Sequence, residues 1–188
     1  MAPVPVAPNP PGDPALHLRF DSPEQAVYLA LWRSYDRLRG VEEEFFARWD
    51  LTAQQYNVLR LLQARGGEPL ATQQLAQRMI SRAPDITRMV DKLERRGLAE
   101  RSGSVDDRRT VLVGITSAGL QLLDELAGPV QAMHRAQAGH LSCPEMRALC
   151  VLLERVREPH EAESSGWRRG TFPDMFAAAS AAQERSQE

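Results

Sequence analysis

Cysteine is nearly absent from the 188 residues: Cys143 and Cys150 are the whole complement, seven positions apart in a helical pattern. That spacing is about 10 Å along a helix axis, beyond the reach of a disulfide, so both read as reduced thiols. The four histidines, His17, His134, His140 and His160, are scattered. With no HExxH spacing and no cysteine pair at zinc-ligand separation, no metal site is expected. No glycine-rich phosphate loop leads into a helix with lysine and no nucleophile elbow occurs, which leaves no basis for an enzyme or a cofactor. Apolar runs stay far short of the roughly 18 residues of a membrane span. The opening stretch MAPVPVAPNPPGDP has neither a basic nor a continuous apolar region of the kind a secretion signal needs. The expectation is a cytoplasmic protein with no membrane contact.

What is present fits one compact domain, or one with an appended subdomain, at 43% hydrophobic content. The formal net charge of −2 at first argues against a polyanionic partner. Its distribution argues the other way. Between Arg78 and Arg109 nine basic residues face six acidic ones, a locally positive stretch inside a mildly acidic chain.

Residues 1–20 hold six prolines and few large apolar side chains, a composition for an extended arm. Ser22-Pro23-Glu24-Gln25 then opens a long helix whose Val27, Leu31, Tyr35, Leu38, Val41, Phe45 and Trp49 fall on one side. Thr52-Ala53-Gln54-Gln55 is a second capping box, and Gly66-Gly67 closes the helix it starts. Thr72 caps a short helix with Leu75, Ala76 and Met79. Ser81 caps the next, where Ile86, Met89, Val90 and Leu93 recur at i, i+3, i+4 and i+7 before the Gly97 stop. Two such helices in close succession make a helix-turn-helix. The period then shortens to two: Val111, Val113 and Ile115 alternate along a strand, with Leu98–Ser102 as its partner and Gly114 as a point of weakness or bulging. Thr116 or Ser117 caps a leucine-rich helix that Gly128-Pro129 kinks or interrupts, and Ser142-Cys143-Pro144-Glu145 opens a last one ending before Pro159. Beyond Glu161 the polar tail carries Trp167, Phe172, Met175 and Phe176, with Asp174 placed to cap an alanine-rich run; it can dock on the body or on a partner.

Helix, strand, arginine-tipped turn and strand, in that order from Ser81 to Thr116, suit a reader of double-stranded DNA. A helix fits the major groove, about 12 Å wide, and an arginine-tipped hairpin fits the neighbouring minor groove. With Ile86, Met89, Val90 and Leu93 inward, Pro84, Arg88, Asp91 and Arg95 fall outward at 100° per residue. Arg88 can then make a bidentate contact to guanine. The first turn, Ser81, Arg82, Pro84 and Asp85, offers backbone N–H groups and a hydroxyl for phosphate, and Thr87 can touch a thymine methyl or a phosphate. At the hairpin tip, Asp106 and Asp107 stand beside Arg108 and Arg109, where a carboxylate can hold a guanidinium in place.

Residues 24–157 resemble the MarR family of bacterial transcription regulators, on the stretches LTAQQYNVLRLL, LAQRM, PDITRMVDKLERRGLAER and DDRRTVLVGITSAG and the final helical pattern, together about seven tenths of the chain. The resemblance implies a mainly α fold with a two- to three-stranded β-hairpin wing, a winged helix-turn-helix with a helical dimerisation region. It implies that the helix at 82–96 enters the major groove, that Pro84, Thr87 and Arg88 contact DNA, and that Arg108 or Arg109 enters the minor groove while Asp107 braces it. The domain reading is an arm at 1–20, a dimerisation region at 21–50 and 117–157, the winged domain at 51–116 and an extension at 158–188. The partners implied are a palindromic double-stranded DNA, a second copy of the chain and a small aromatic or phenolic effector near Trp32, Tyr35 and Tyr56, although aromatics at such spacing also serve core or dimer packing. Peroxide-sensing members carry a cysteine early in the first helix; none lies between Ser22 and Trp49 here. The function expected is a homodimeric repressor relieved by a small molecule, the alternative being a winged-helix module that binds a protein instead of specific DNA.

Overall fold

Hydrogen-bonding side chains mark the starts of five of the six described α-helices in the computed structural model, which describes residues 20–80, 85–103 and 110–161. Helix α1 spans Pro23–Ala47. Ser22 Oγ accepts from Gln25 N at 3.2 Å as its motif predicts, but the Gln25 side chain reaches past Ser22 to accept from Asp21 N at 2.6 Å. The chain divides within this helix into two compact units, residues 1–40 and 41–188. In the first, Val27, Tyr28, Trp32, Tyr35 and Leu38 are all exposed, with the Tyr28 and Trp32 rings 6.0 Å apart.

The second unit holds the core. Helix α2 (Ala53–Gln63) closes the expected capping box, Thr52 Oγ1 accepting from Gln55 N at 3.2 Å and Gln55 Oε1 from Thr52 N at 2.9 Å. It buries Val58, Leu59 and Leu62 almost completely, and Gly66 and Gly67 turn the chain with positive φ. A short strand β1 (Leu70–Ala71) precedes helix α3 (Thr72–Arg78). Thr72 does not cap α3 as expected: Ala71 stands at the cap position with no side-chain bond, and Thr72 Oγ1 donates to the Val111 carbonyl at 3.2 Å. The hydroxyl ties an edge strand to its neighbour instead.

Helix α4 spans Ile86–Arg95. Ser81, the expected cap, lies outside the described residues. Asp85 caps the helix, its Oδ1 accepting from Arg88 N at 2.9 Å, so the described helix starts several residues later than the pattern suggested. At the far end Gly97 takes φ +67°, Gly97 N donates to Glu94 O at 2.8 Å and Leu98 N to Leu93 O at 2.9 Å, the paired bonds of a Schellman motif. Strands β2 (Ala99–Gly103) and β3 (Val111–Ile115) follow, in an antiparallel sheet of order β1-β3-β2. Mainly α with a three-stranded wing is the fold class expected. Gly114 does not bulge the strand: the register runs evenly from Ala99↔Ile115 through Glu100↔Gly114 to Gly103↔Val111, and the Glu100 side chain lies over the glycine across the pair.

Helix α5 (Ser117–Ala138) is capped by Thr116, whose Oγ1 accepts from Gly119 N at 3.1 Å and donates to Gly97 O at 2.6 Å. The expected interruption at Gly128-Pro129 does not occur, since α5 continues nine residues past Pro129. Two local facts permit this. Gly128 has no Cβ to clash with the proline ring, and the Glu125 carbonyl that loses its donor belongs to an exposed residue that water can serve. Helix α6 (Cys143–Arg157) opens with the Glu145 carboxylate accepting from Ser142 N and Oγ, at 2.8 and 2.6 Å. It ends in a 3-10 turn, Glu158–His160, before which the pattern had placed its stop. Along α6 only Cys143 is buried, while Leu149, Val151, Leu152 and Val156 are exposed.

Gly119 is required by a close approach: a Cβ there would stand 2.3 Å from the Leu98 carbonyl oxygen. Gly119→Ala is therefore expected to destabilise the fold by about 1–3 kcal/mol, the usual cost of overpacking, as read by urea unfolding. Half-buried Glu42 supplies a second expectation. Burial raises its carboxyl above the ordinary value, with His134 opposing and Glu43 adding. The folded chain thus holds this proton more tightly than the unfolded one, and ionising it weakens folding at neutral pH but not below the ordinary carboxylate range. Thermal melts of Glu42→Gln should show a higher Tm than the parent near neutrality, a gap that closes as the solution is acidified.

Candidate nucleic-acid interface

Three chemically distinct stripes run along α4. Ile86, Met89, Val90 and Leu93 face the core, with Val90 and Leu93 fully buried. Thr87, Asp91 and Glu94, at i, i+4 and i+7, form a second stripe whose acids pair with Arg101 of β2. Arg88, Lys92 and Arg95, again at i, i+4 and i+7, form the third and are exposed. Because the two acids are committed to Arg101, no ion pair among the described residues holds the third stripe. Arg95 Nε makes only a local bond, 3.3 Å to the Asp91 carbonyl. The outward side of α4 is therefore a row of cations about 10 Å long that no described carboxylate neutralises.

Of the residues expected to meet DNA, Asp85, Thr87 and Arg88 are described. Asp85 holds the helix N-terminus, while Thr87 and Arg88 are exposed. Ser81, Arg82, Pro84, Asp107, Arg108 and Arg109 lie outside the described residues. From the sequence, Arg95 falls outward without being assigned to the site, and Lys92 enters only as one of the nine basic residues between Arg78 and Arg109. Their spacing of four and three from Arg88 was the available signal, obscured by the acids interleaved between them.

The C-terminal end of α4 is anchored separately. Arg96 donates through Nη1 to the Asp50 carbonyl and through Nη2 to the Trp49 carbonyl, the latter at 2.9 Å, and its Nε lies 3.9 Å from the Asp50 carboxylate. These bonds satisfy carbonyls just past the end of α1. An open cleft of about 480 Å³ lies here, lined by Asp50, Thr52, Gln55, Lys92, Arg95 and Arg96. It carries the cationic row toward the start of α2.

The aromatic trio behaves differently. Trp32 and Tyr35 are exposed in the first unit. Tyr56 belongs to the second, its ring 4.9 Å from that of Phe46, and burial raises its hydroxyl above the ordinary value against the opposing charge of Arg60. Neither cysteine is in a disulfide, Cys143 being buried and Cys150 half-buried. Burial, reinforced by Glu154, pushes the Cys150 thiol up and so disfavours its thiolate. Among the described residues no group of three His, Cys, Asp or Glu could hold a metal ion, and no helix is long and apolar enough to cross a membrane.

Comparison with known proteins agrees with this geometry. The MarR family model matches residues 51–111, from the start of α2 to the start of β3. An uncharacterized HTH-type transcriptional regulator of Bacillus subtilis, YkoM, is 35% identical over 146 residues, 75% of this chain and 93% of that protein. The crystal structure of a MarR transcription factor from Planctomyces limnophilus is 49% identical with a TM-score of 0.58, over 73% of this chain and 99% of that one. A mutant MarR from E. coli, complexed with operator DNA, is 24% identical with a TM-score of 0.63, over 70% and 93% of the two chains. The chain with the three-striped helix belongs to the MarR family of winged-helix transcriptional regulators.

Proposed function

We propose that the protein is a homodimeric, sequence-specific DNA-binding repressor of the cytoplasm, released from a near-palindromic duplex by a small aromatic or phenolic effector. The observation that carries the reading is the row Arg88, Lys92 and Arg95, exposed and without an ion-pair partner among the described residues, on a helix whose other two sides are held by the protein. Arg88, in the first turn, suits a guanine edge, and Lys92 and Arg95 suit flanking phosphates. In this reading residues 51–116 are the DNA-binding module, and residues 21–50 and 117–157 the dimerisation region between the arm at 1–20 and the extension at 158–188.

Dimerisation draws support from apolar exposure. Val27, Tyr28, Trp32, Tyr35 and Leu38 on α1, and Leu149, Val151, Leu152 and Val156 on α6, leave far more apolar surface open than scattered single residues would. Two copies would set their α4 helices in successive major grooves, about 34–36 Å apart. The effector reading rests on the family and on the open Trp32 and Tyr35 rings. The E. coli neighbour on operator DNA has the same fold.

Gel shifts and fluorescence anisotropy on the intergenic DNA upstream of the protein's own gene test the proposal. Two chains per duplex are expected, with affinity falling steeply in salt, a log–log slope of about −0.9 per phosphate contact. Arg88→Ala should cost about 1–3 kcal/mol and relax sequence preference, whereas Arg108→Ala should weaken binding more evenly across sequences. Unchanged affinity in both variants, or tight capture of a protein with only non-specific duplex binding, would overturn it.

A further inference from the structure

Arg101 stands on β2 directly across the pair from Val113, a residue with no exposure at all, and so projects from the sheet on the side of α4. Its side chain is only 23% exposed. One guanidinium there makes three contacts with one helix: Nη2 to Asp91 Oδ1 at 2.6 Å, Nη1 to Glu94 Oε2 at 2.5 Å, and Nη2 to the Thr87 carbonyl at 3.1 Å. Those acceptors lie at i, i+4 and i+7, the whole second stripe of a ten-residue helix.

We infer that Arg101 is a positioning residue for DNA reading: it fixes the rotation of α4 about its own axis and keeps two carboxylates away from the outward cations. The inference rests on the proposed DNA-binding function. Apolar burial alone sets rotation loosely, because Val90 and Leu93 could be covered over a range of angles. Three directional bonds from a planar, rigid fork narrow that range. Released from Arg101, Asp91 would lie one turn from both Arg88 and Arg95, free to pair with them, and Glu94 would be left as an uncompensated negative charge that repels phosphate. Burial opposes the Arg101 charge, but the bonds to Asp91 and Glu94 outweigh it and raise its pKa. Lysine, a point charge without a fork, cannot reproduce the arrangement.

The test uses the full-length chain and four variants: Arg101→Met, Arg101→Lys, the double variant Asp91→Asn/Glu94→Gln, and the triple combination with Arg101→Met. Without DNA, amide hydrogen exchange across α4 should quicken in Arg101→Met while α2 and α5 keep the parent rates and the Tm stays close to the parent. On the upstream intergenic duplex, Arg101→Met should bind roughly tenfold more weakly at an unchanged salt slope, and Arg101→Lys should recover little. Removing two negative charges in the double variant should also weaken binding, against simple electrostatics. The triple variant should lose no more than Arg101→Met. Tighter binding by the double variant together with a shallower slope in Arg101→Met would make Arg101 a phosphate contact and overturn the inference. So would parent exchange rates and affinity in Arg101→Met. Altered α4 exchange in a protein that binds no duplex specifically would retain the brace and discard the DNA reading, so the two failures separate.

Discussion

The seating of α4 is the constraint on which everything else rests. Val90 and Leu93 are fully buried, and each such side chain contributes about 1.5–3 kcal/mol when taken from water. An exposed ion pair contributes about 0–1 kcal/mol. Burial therefore holds the helix down, and polar contacts decide how it is turned and where it ends. The Schellman close at Gly97 and the two carbonyl bonds from Arg96 fix the C-terminal end, Asp85 fixes the start, and Arg101 fixes the angle.

This division of labour explains how a chain of formal charge −2 presents a cationic row. Of the acids near Arg88, Lys92 and Arg95, Asp91 and Glu94 are engaged by Arg101 from the sheet and Asp85 by the helix N-terminus, so their charge is spent inside the fold. Net charge describes solubility and long-range steering; the pairing pattern on one helix describes what a partner meets. The exposed apolar residues of α1 and α6 carry the complementary message, apolar surface that belongs to neither the buried core nor its lining.

Much of the fold was legible because local chemistry and tertiary packing agreed. Thr52 with Gln55, Thr116, Ser142 with Glu145, and Gly97 each signal a terminus whose bonds form as their residue types demand. Where two uses competed, the sequence was ambiguous. Thr72 could cap a helix or hold the edge of the sheet, and the bond to Val111 prevails; the two-residue strand it anchors has no periodicity to read. Gly114 and Pro129 are nominal breakers, harmless where a cross-strand side chain fills the gap or an exposed carbonyl is free to meet water. The site divides the same way. Arg88 was visible from the apolar period of its helix, whereas Arg101 was hidden because its partners lie seven to fourteen residues upstream, on an element whose rotation it controls.

The most direct measurement is a map of backbone amide chemical shifts in full-length protein titrated with the upstream intergenic duplex at moderate salt. Perturbations are expected to concentrate from Asp85 to Arg95, strongest around Arg88, and to be absent from the buried residues of α2. Shifts confined to α1 or α6, with α4 unchanged at saturating duplex, would contradict the claim that the outward row of α4 meets DNA.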